Sequence, residues 1–219
     1  MRKYTAEFLG TFALVFCGTG AIIINEQTNE AIGHVGIAIT FGLIVLAMIY
    51  TFGAISGAHL NPAVTLGFFI ANRFDKKEIL PYIISQIVGA FLATMILKFL
   101  FPDNVNLGST LPAGSSIQSF ILEVILTYFL MLVILNVALG SKEVGILAGI
   151  AIGATILLEA MFAGPISGAS MNPARSIAPG VISGNLQMLW IYLIAPPLGA
   201  IAASLTWKAM TRNVKEDVL

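Results

Sequence analysis

The residues best suited to act on a small molecule are two copies of one tripeptide, Asn61-Pro62-Ala63 and Asn172-Pro173-Ala174, the second followed directly by Arg175. Asn is a favoured N-cap and Pro is pre-set for the first helical position, so each tripeptide reads as a helix start. A helix N-terminus carries unpaired N–H donors and the positive end of the helix dipole. Two such ends aimed at one point, with two carboxamides, would offer donors to the oxygen of a neutral molecule and repel a cation, hydronium included. Arginine adds a permanent charge and a planar fork of donors. This is the chemistry of selection. Bond-breaking chemistry finds no support: the chain has no Gly-x-Ser-x-Gly pattern and no Asp within an apolar stretch, so an intramembrane enzyme is not expected. His59 has no second His, Cys or carboxylate at ligand spacing, so no metal and no cofactor is expected.

The tripeptides end longer matching segments. Residues 53–63 (GAISGAHLNPA) and 164–174 (GPISGASMNPA) agree at eight of eleven positions. Upstream, Glu7 and Thr11 pair with Glu123 and Thr127; downstream, residues 88–93 resemble 198–203. The chain is therefore one domain, 1–219, built from repeat halves of about 1–101 and 117–209. In each half a Gly-rich loop precedes the helix start, and Gly184 is a C-terminal stop for the second.

Composition says what must hold these motifs. Of 219 residues, 58% are hydrophobic and 10% charged, and the mean hydropathy is +0.93. A soluble domain carries roughly 25% charged residues. The charge is too scarce to coat a water-exposed sphere, and a net charge of zero argues against a nucleic-acid partner. The lone Cys17 permits no intramolecular disulfide. Apolar stretches at 5–25, 35–55, 80–101, 117–139, 144–163 and 187–209 each have the roughly 20 residues that cross a bilayer. The first, with Glu7 inside it and no cleavage site behind it, reads as a retained helix. Two shorter stretches, about 61–71 and 172–182, fit re-entrant half-helices. The expected fold is an all-α membrane protein with six transmembrane helices and two half-helices. Three spans per half is an odd number, so the halves enter the membrane in opposite directions, and the functional site belongs at the midplane between them. Irregular backbone at that depth must line a water-filled cavity.

Nine of the eleven basic residues, Arg2, Lys3, Arg73, Lys76, Lys77, Lys142, Lys208, Arg212 and Lys215, fall on one side of this topology. That side is cytoplasmic, with both termini inside. Lys98 is expected to snorkel to headgroups, and only Arg175 remains at membrane depth. The segment 102–116 reads as an external loop. The short loops and the absence of any Asn-x-Ser/Thr acceptor point to a bacterial inner membrane.

The paired motif in this frame, with Ala6-Glu7-Phe8-Leu9-Gly10-Thr11, Ser56 to Thr65 and Ser170 to Ser176, resembles the major intrinsic proteins, the aquaporin and aquaglyceroporin channels, over nearly the whole chain. The resemblance implies one channel domain per protomer, a pore in each, and a homotetramer. It implies a selectivity filter of Phe41, Ala160, Ala169 and Arg175. Ala160 stands where water-selective members place a His, and Ser176 where glycerol facilitators place an Asp. Residues 162–176 look closer to plant nodulin-like intrinsic proteins and their bacterial relatives. The expected function is a passive, single-file channel for water and small uncharged solutes that excludes protons and ions. A glycerol, small-polyol or metalloid-hydroxide facilitator is the first alternative, and an ion-coupled secondary transporter the second.

Several further roles are expected. The carbonyls of Gly57, Ala58, His59 and Leu60, with those of Gly168, Ala169 and Ser170, form an acceptor ladder for passing hydroxyls, and the His59 ring is structural. Glu7 and Glu123 are either proton carriers or, as the resemblance supports, acceptors for backbone N–H groups of the opposing re-entrant loop. Glu159 either orients the loop before Arg175 or places charge near the pore mouth. His34 is read as a solvated residue at an external loop–helix junction. Gly149 with Gly153, Gly89 with Ala93, and Gly199 with Ala203 suit close helix crossings.

Overall fold

The structure is a computed structural model and describes residues 1–141 and 145–212. Among them the chain forms α1 (Arg2–Gln27), α2 (Gly33–Ser56), the short α3 (Pro62–Ile70), α4 (Lys76–Leu100), α5 (Ser116–Ala138), α6 (Ala148–Ser167), the short α7 (Pro173–Ser183) and α8 (Leu189–Arg212). Six of these, all but α3 and α7, are long and apolar enough to cross a bilayer. Their outward faces are apolar: Leu43, Ile84, Phe99, Ile121, Phe129, Leu158 and Phe162 are all exposed. In water that surface would be a liability. Against lipid or a second copy it is the expected coat.

The local chemistry of the half-helices follows the sequence. Asn61 Oδ1 accepts from Ala63 N at 2.8 Å, and Asn172 Oδ1 accepts from Ala174 N at 3.0 Å. Each Asn is thus an N-cap, with Pro at the next position. Upstream, α2 and α6 each end on a left-handed glycine, Gly57 and Gly168, both at φ 85°. A Cβ would strain that conformation. Lys208 Nζ reaches the Ile70 carbonyl at 3.2 Å, placing a cation at the C-terminal end of α3.

An approximate twofold relates the halves. Gly42 of α2 and Gly153 of α6 face one another: a Cβ on either would lie 2.6 and 2.7 Å from the other's carbonyl oxygen. Gly89 lets α4 lie against the backbone of Phe8 and Phe12 in α1, and Gly199 lets α8 lie against that of Val124 and Tyr128 in α5. These are the close crossings the small-residue pairs predict. Of the basic residues, Lys3 pairs with Glu78 at 2.8 Å, and Arg73 lies over the Trp207 ring. Lys98 is at the far end of α4, donating to Pro102 O. Lys142 and Lys215 lie outside the described residues.

One boundary differs materially from expectation. The fifth span was expected over 144–163; α6 runs Ala148–Ser167, carrying Pro165 within its last turn. Pro165 offers no N–H to the helix, yet the chain stays helical to the glycine cap.

Candidate functional site

Each loop before a half-helix hangs on a buried carboxylate. Glu7 Oε1 accepts from Ser56 Oγ (2.7 Å) and His59 N (2.9 Å), and Oε2 from Leu60 N (2.7 Å) and Gln86 Nε2 (2.8 Å). Glu123 repeats the pattern with Ser167 Oγ (2.8 Å), Ser170 N (2.8 Å) and Met171 N (2.8 Å). Both carboxylates are fully buried. The expectation of an opposing loop is corrected here: each glutamate holds the loop of its own half. The first helix of a repeat packs beside the third, which brings its carboxylate to the loop leaving the second. Tyr82 Oη and Tyr192 Oη complete the brackets by donating to the Ser56 and Ser167 carbonyls at 2.9 and 2.6 Å.

Held this way, the two half-helices meet N-terminus to N-terminus. Asn61 Nδ2 donates to Met171 O at 2.7 Å, and Asn172 Nδ2 donates to Leu60 O at 2.9 Å. The tie crosses the repeat boundary, so the midplane is one unit. A carboxamide has two N–H donors, and the cross-tie uses one from each Asn. Pro62, Ala63, Pro173 and Ala174 are buried behind the asparagines.

A cavity of about 770 Å³ runs past both asparagines. It is lined at one end by Phe41, Ala160, Ala169 and Arg175, and at the other by Tyr50, Arg73, Phe74, Leu139 and Ile146. Gly57, Ala58, His59, Leu60 and Ser170 of the expected ladder line it, as does Met171, which was not expected. Gly168 is not among the lining residues; it packs on Thr110. The Leu60 carbonyl is already an acceptor for Asn172.

Arg175 is 2% exposed. Its Nη1 donates to Gly108 O at 2.7 Å, its guanidinium carbon lies 5.2 Å from the Phe41 ring centroid, and its Nε has no partner among the described residues. Gly108 presents its carbonyl from a left-handed turn, φ 68°, packed on Thr19. Asn104 pins that turn, accepting from Leu107 N and donating to Glu26, both at 2.7 Å. A hydroxyl chain, Thr110 to Ser176 to Ser170 to the Asn172 carbonyl, joins the same 102–116 loop to the second half-helix. None of these loop contacts is marked in the sequence, because residues 102–116 fall outside the repeat. Tyr82 and Tyr192, by contrast, stand in the register that pairs 88–93 with 198–203.

The His59 ring stacks on Phe68 at 4.6 Å and touches Thr65 Oγ1, a structural setting as expected. His34 is a second correction: though exposed, its Nε2 lies 2.8 Å from Met161 O. It is tied to α6 rather than simply solvated. Glu159 does not line the cavity, and its Oε2 is buried without a hydrogen-bond partner among the described residues.

Comparison with known proteins agrees with this architecture. The family model described as "Major intrinsic protein" matches residues 1–207. The chain is 46% identical to aquaporin NIP1-1 of Zea mays over 205 residues, covering 93% of this chain and 73% of that protein. It is 44% identical to nodulin-26 of Glycine max, covering 93% and 76%. The X-ray structure of the aquaglyceroporin from Plasmodium falciparum superposes with a TM-score of 0.84 at 29% identity, covering 94% of each chain. A duplicated carboxylate bracket, paired half-helix N-termini and a family match over nearly the whole chain make one case: this integral membrane protein belongs to the major intrinsic protein family.

Proposed function

We propose that the chain is a passive channel carrying water and small uncharged solutes in single file, with protons and ions excluded. One observation carries the reading: two half-helix N-termini, tied through Asn61 and Asn172, face a continuous cavity that has Arg175 at one end. The uncommitted N–H of each Asn serves as a donor for a passing oxygen. The positive dipole ends oppose a cation at the same point. Among the described residues no Asp or Glu lines the cavity, which speaks against an ion-coupled transporter. Glu7 and Glu123 accept from four and three donors and serve as brackets, not carriers.

The filter we propose is Phe41, Ala160, Ala169 and Arg175. Two of its four walls are methyl groups, so the aperture suits a small polyol such as glycerol as well as water, with metalloid hydroxides as the next class. The names of the relatives, aquaporin and aquaglyceroporin, fit both solutes. The setting we propose is a cell (inner) membrane, both termini cytoplasmic, with the apolar outer faces packed on lipid and on other copies in a homotetramer.

Stopped-flow measurements on proteoliposomes test the reading. Water flux of low activation energy, indifferent to pH and sodium gradients, is expected, with re-swelling in glycerol faster than in empty vesicles. Transport that requires an ion gradient would sink the channel; re-swelling no faster than in controls would remove the polyols.

A further inference from the structure

The seam between α2 and α6 carries two walls of the proposed filter, Phe41 and Ala160. At its centre Gly42 and Gly153 bring the backbones together. At the inner end Tyr50 Oη donates to Ile146 O at 3.0 Å. At the outer end His34 Nε2 approaches Met161 O at 2.8 Å. A carbonyl only accepts, so Nε2 carries the hydrogen.

Pro165 explains why that carbonyl is open. In an α-helix the Met161 carbonyl pairs with the N–H of residue 165, and proline has none. The repeat contains its own control. Ala54 stands in α2 where Pro165 stands in α6, and it retains its N–H; the position matching His34 is Gly145, with no side chain to donate. Donor and vacancy thus occur together, in one half only. The ring also needs Gly164, because a Cβ there would lie 2.8 Å from His34 Cε1.

We propose that His34 is a positioning residue for solute selection: by supplying the hydrogen bond that Pro165 withholds, it holds the last turn of α6 against α2 and fixes the gap between Ala160 and Phe41. Ala160 immediately precedes the tied carbonyl. Without the tie this turn is free to move from α2, the gap widens, and a polyol gains more than water, which already passes. The inference rests on the proposed filter.

The test is the ratio of glycerol to water permeability in proteoliposomes. His34→Leu is expected to raise it about fivefold, the scale of one hydrogen bond. His34→Gln, whose amide nitrogen has similar reach, restores the original ratio. Gly164→Ala, which displaces the ring while leaving His34 in place, behaves like His34→Leu. Pro165→Ala returns an N–H to the helix, so adding His34→Leu to it changes the ratio little, and this pair remains informative if the single His34→Leu protein folds poorly. An undiminished His34→Leu effect in the Pro165→Ala background overturns the proposal, as does an unchanged ratio in folded His34→Leu. Ala160→His tests the filter separately: if glycerol flux survives that ring, the filter reading itself fails, and this inference with it.

Discussion

Gly18 offers the most direct handle on the proposed filter, because it acts from behind the wall. In α1 it lies under the Phe41 ring: an added Cβ would overlap Cε1 and stand 2.6 Å from both Cδ1 and Cζ. Carbon atoms in contact rest about 3.5–4.0 Å apart, so in Gly18→Ala the ring must retreat by about 1 Å or more. Helix α1 stands on one side of the ring and the cavity on the other, so the retreat is toward the pore and the Arg175 guanidinium. Overpacking of this kind costs about 1–3 kcal/mol when the displaced group has nowhere to go. Here the strain is relieved by closing the aperture, and the wider solute meets the cost as added barrier. At about 1.4 kcal/mol per tenfold in rate, glycerol permeability should fall at least about fivefold. Water should fall less than about threefold, since it needs the narrower opening. The assay is paired stopped-flow shrinkage in sucrose and re-swelling in glycerol, at matched protein density. Parallel losses for the two solutes, or no loss with the protein folded, would show that Phe41 does not set the width.

Three other perturbations have defined outcomes. Glu7→Gln turns an acceptor for four donors into a side chain that presents N–H to N–H, and should cost about 3 kcal/mol or more, read as a lowered Tm in detergent with reduced water flux. Glu123→Gln should do the same to a lesser degree, because that carboxylate holds three donors and α8 carries Pro196 where α4 carries Gln86; an equal or larger loss would contradict the donor count. Gly153→Ala puts a Cβ 2.7 Å from Gly42 O and 2.8 Å from Leu46 Cβ, so thermal unfolding should show destabilisation of about 1–3 kcal/mol.

Much of this was legible because the chain states it twice. Asn-Pro-Ala and the preceding Gly recur in one register, the distant Glu recurs in another, and each has a local reason to be where it is: an N-cap, a left-handed cap, an acceptor. What repetition could not convey was which half a carboxylate serves, since pairing Glu7 with Glu123 says nothing of the space between. Contacts of the 102–116 loop were also hidden. The Gly108 carbonyl finds Arg175 through a left-handed turn pinned from Asn104 and Glu26, and no periodicity records that. Nor does the sequence mark the contact beside Pro165, because the His34 ring that lies 2.8 Å from the Met161 carbonyl is 127 residues away along the chain.

The twofold also separates what is common to the pore from what can discriminate. Shifting the proposed filter by the 111 positions that relate the two tripeptides turns Phe41 into Ile152, Ala160 into Ile49, Ala169 into Ala58 and Arg175 into Val64. All four images line the same cavity. The molecule therefore holds two rings of equivalent placement on either side of the asparagines, one with a guanidinium and an aromatic face, the other wholly aliphatic. The side chains of an aliphatic ring offer a solute no hydrogen bond and no charge, so by themselves they restrict size and do not tell a hydroxyl from a methyl. The donors at the midplane are equivalent from either side. Between the two rings, side-chain chemistry that can discriminate stands only at the proposed filter, and the residues that depart from the repeat, Arg175, Phe41, Ala160 and the Pro165–His34 pair, are those we propose to build or brace it.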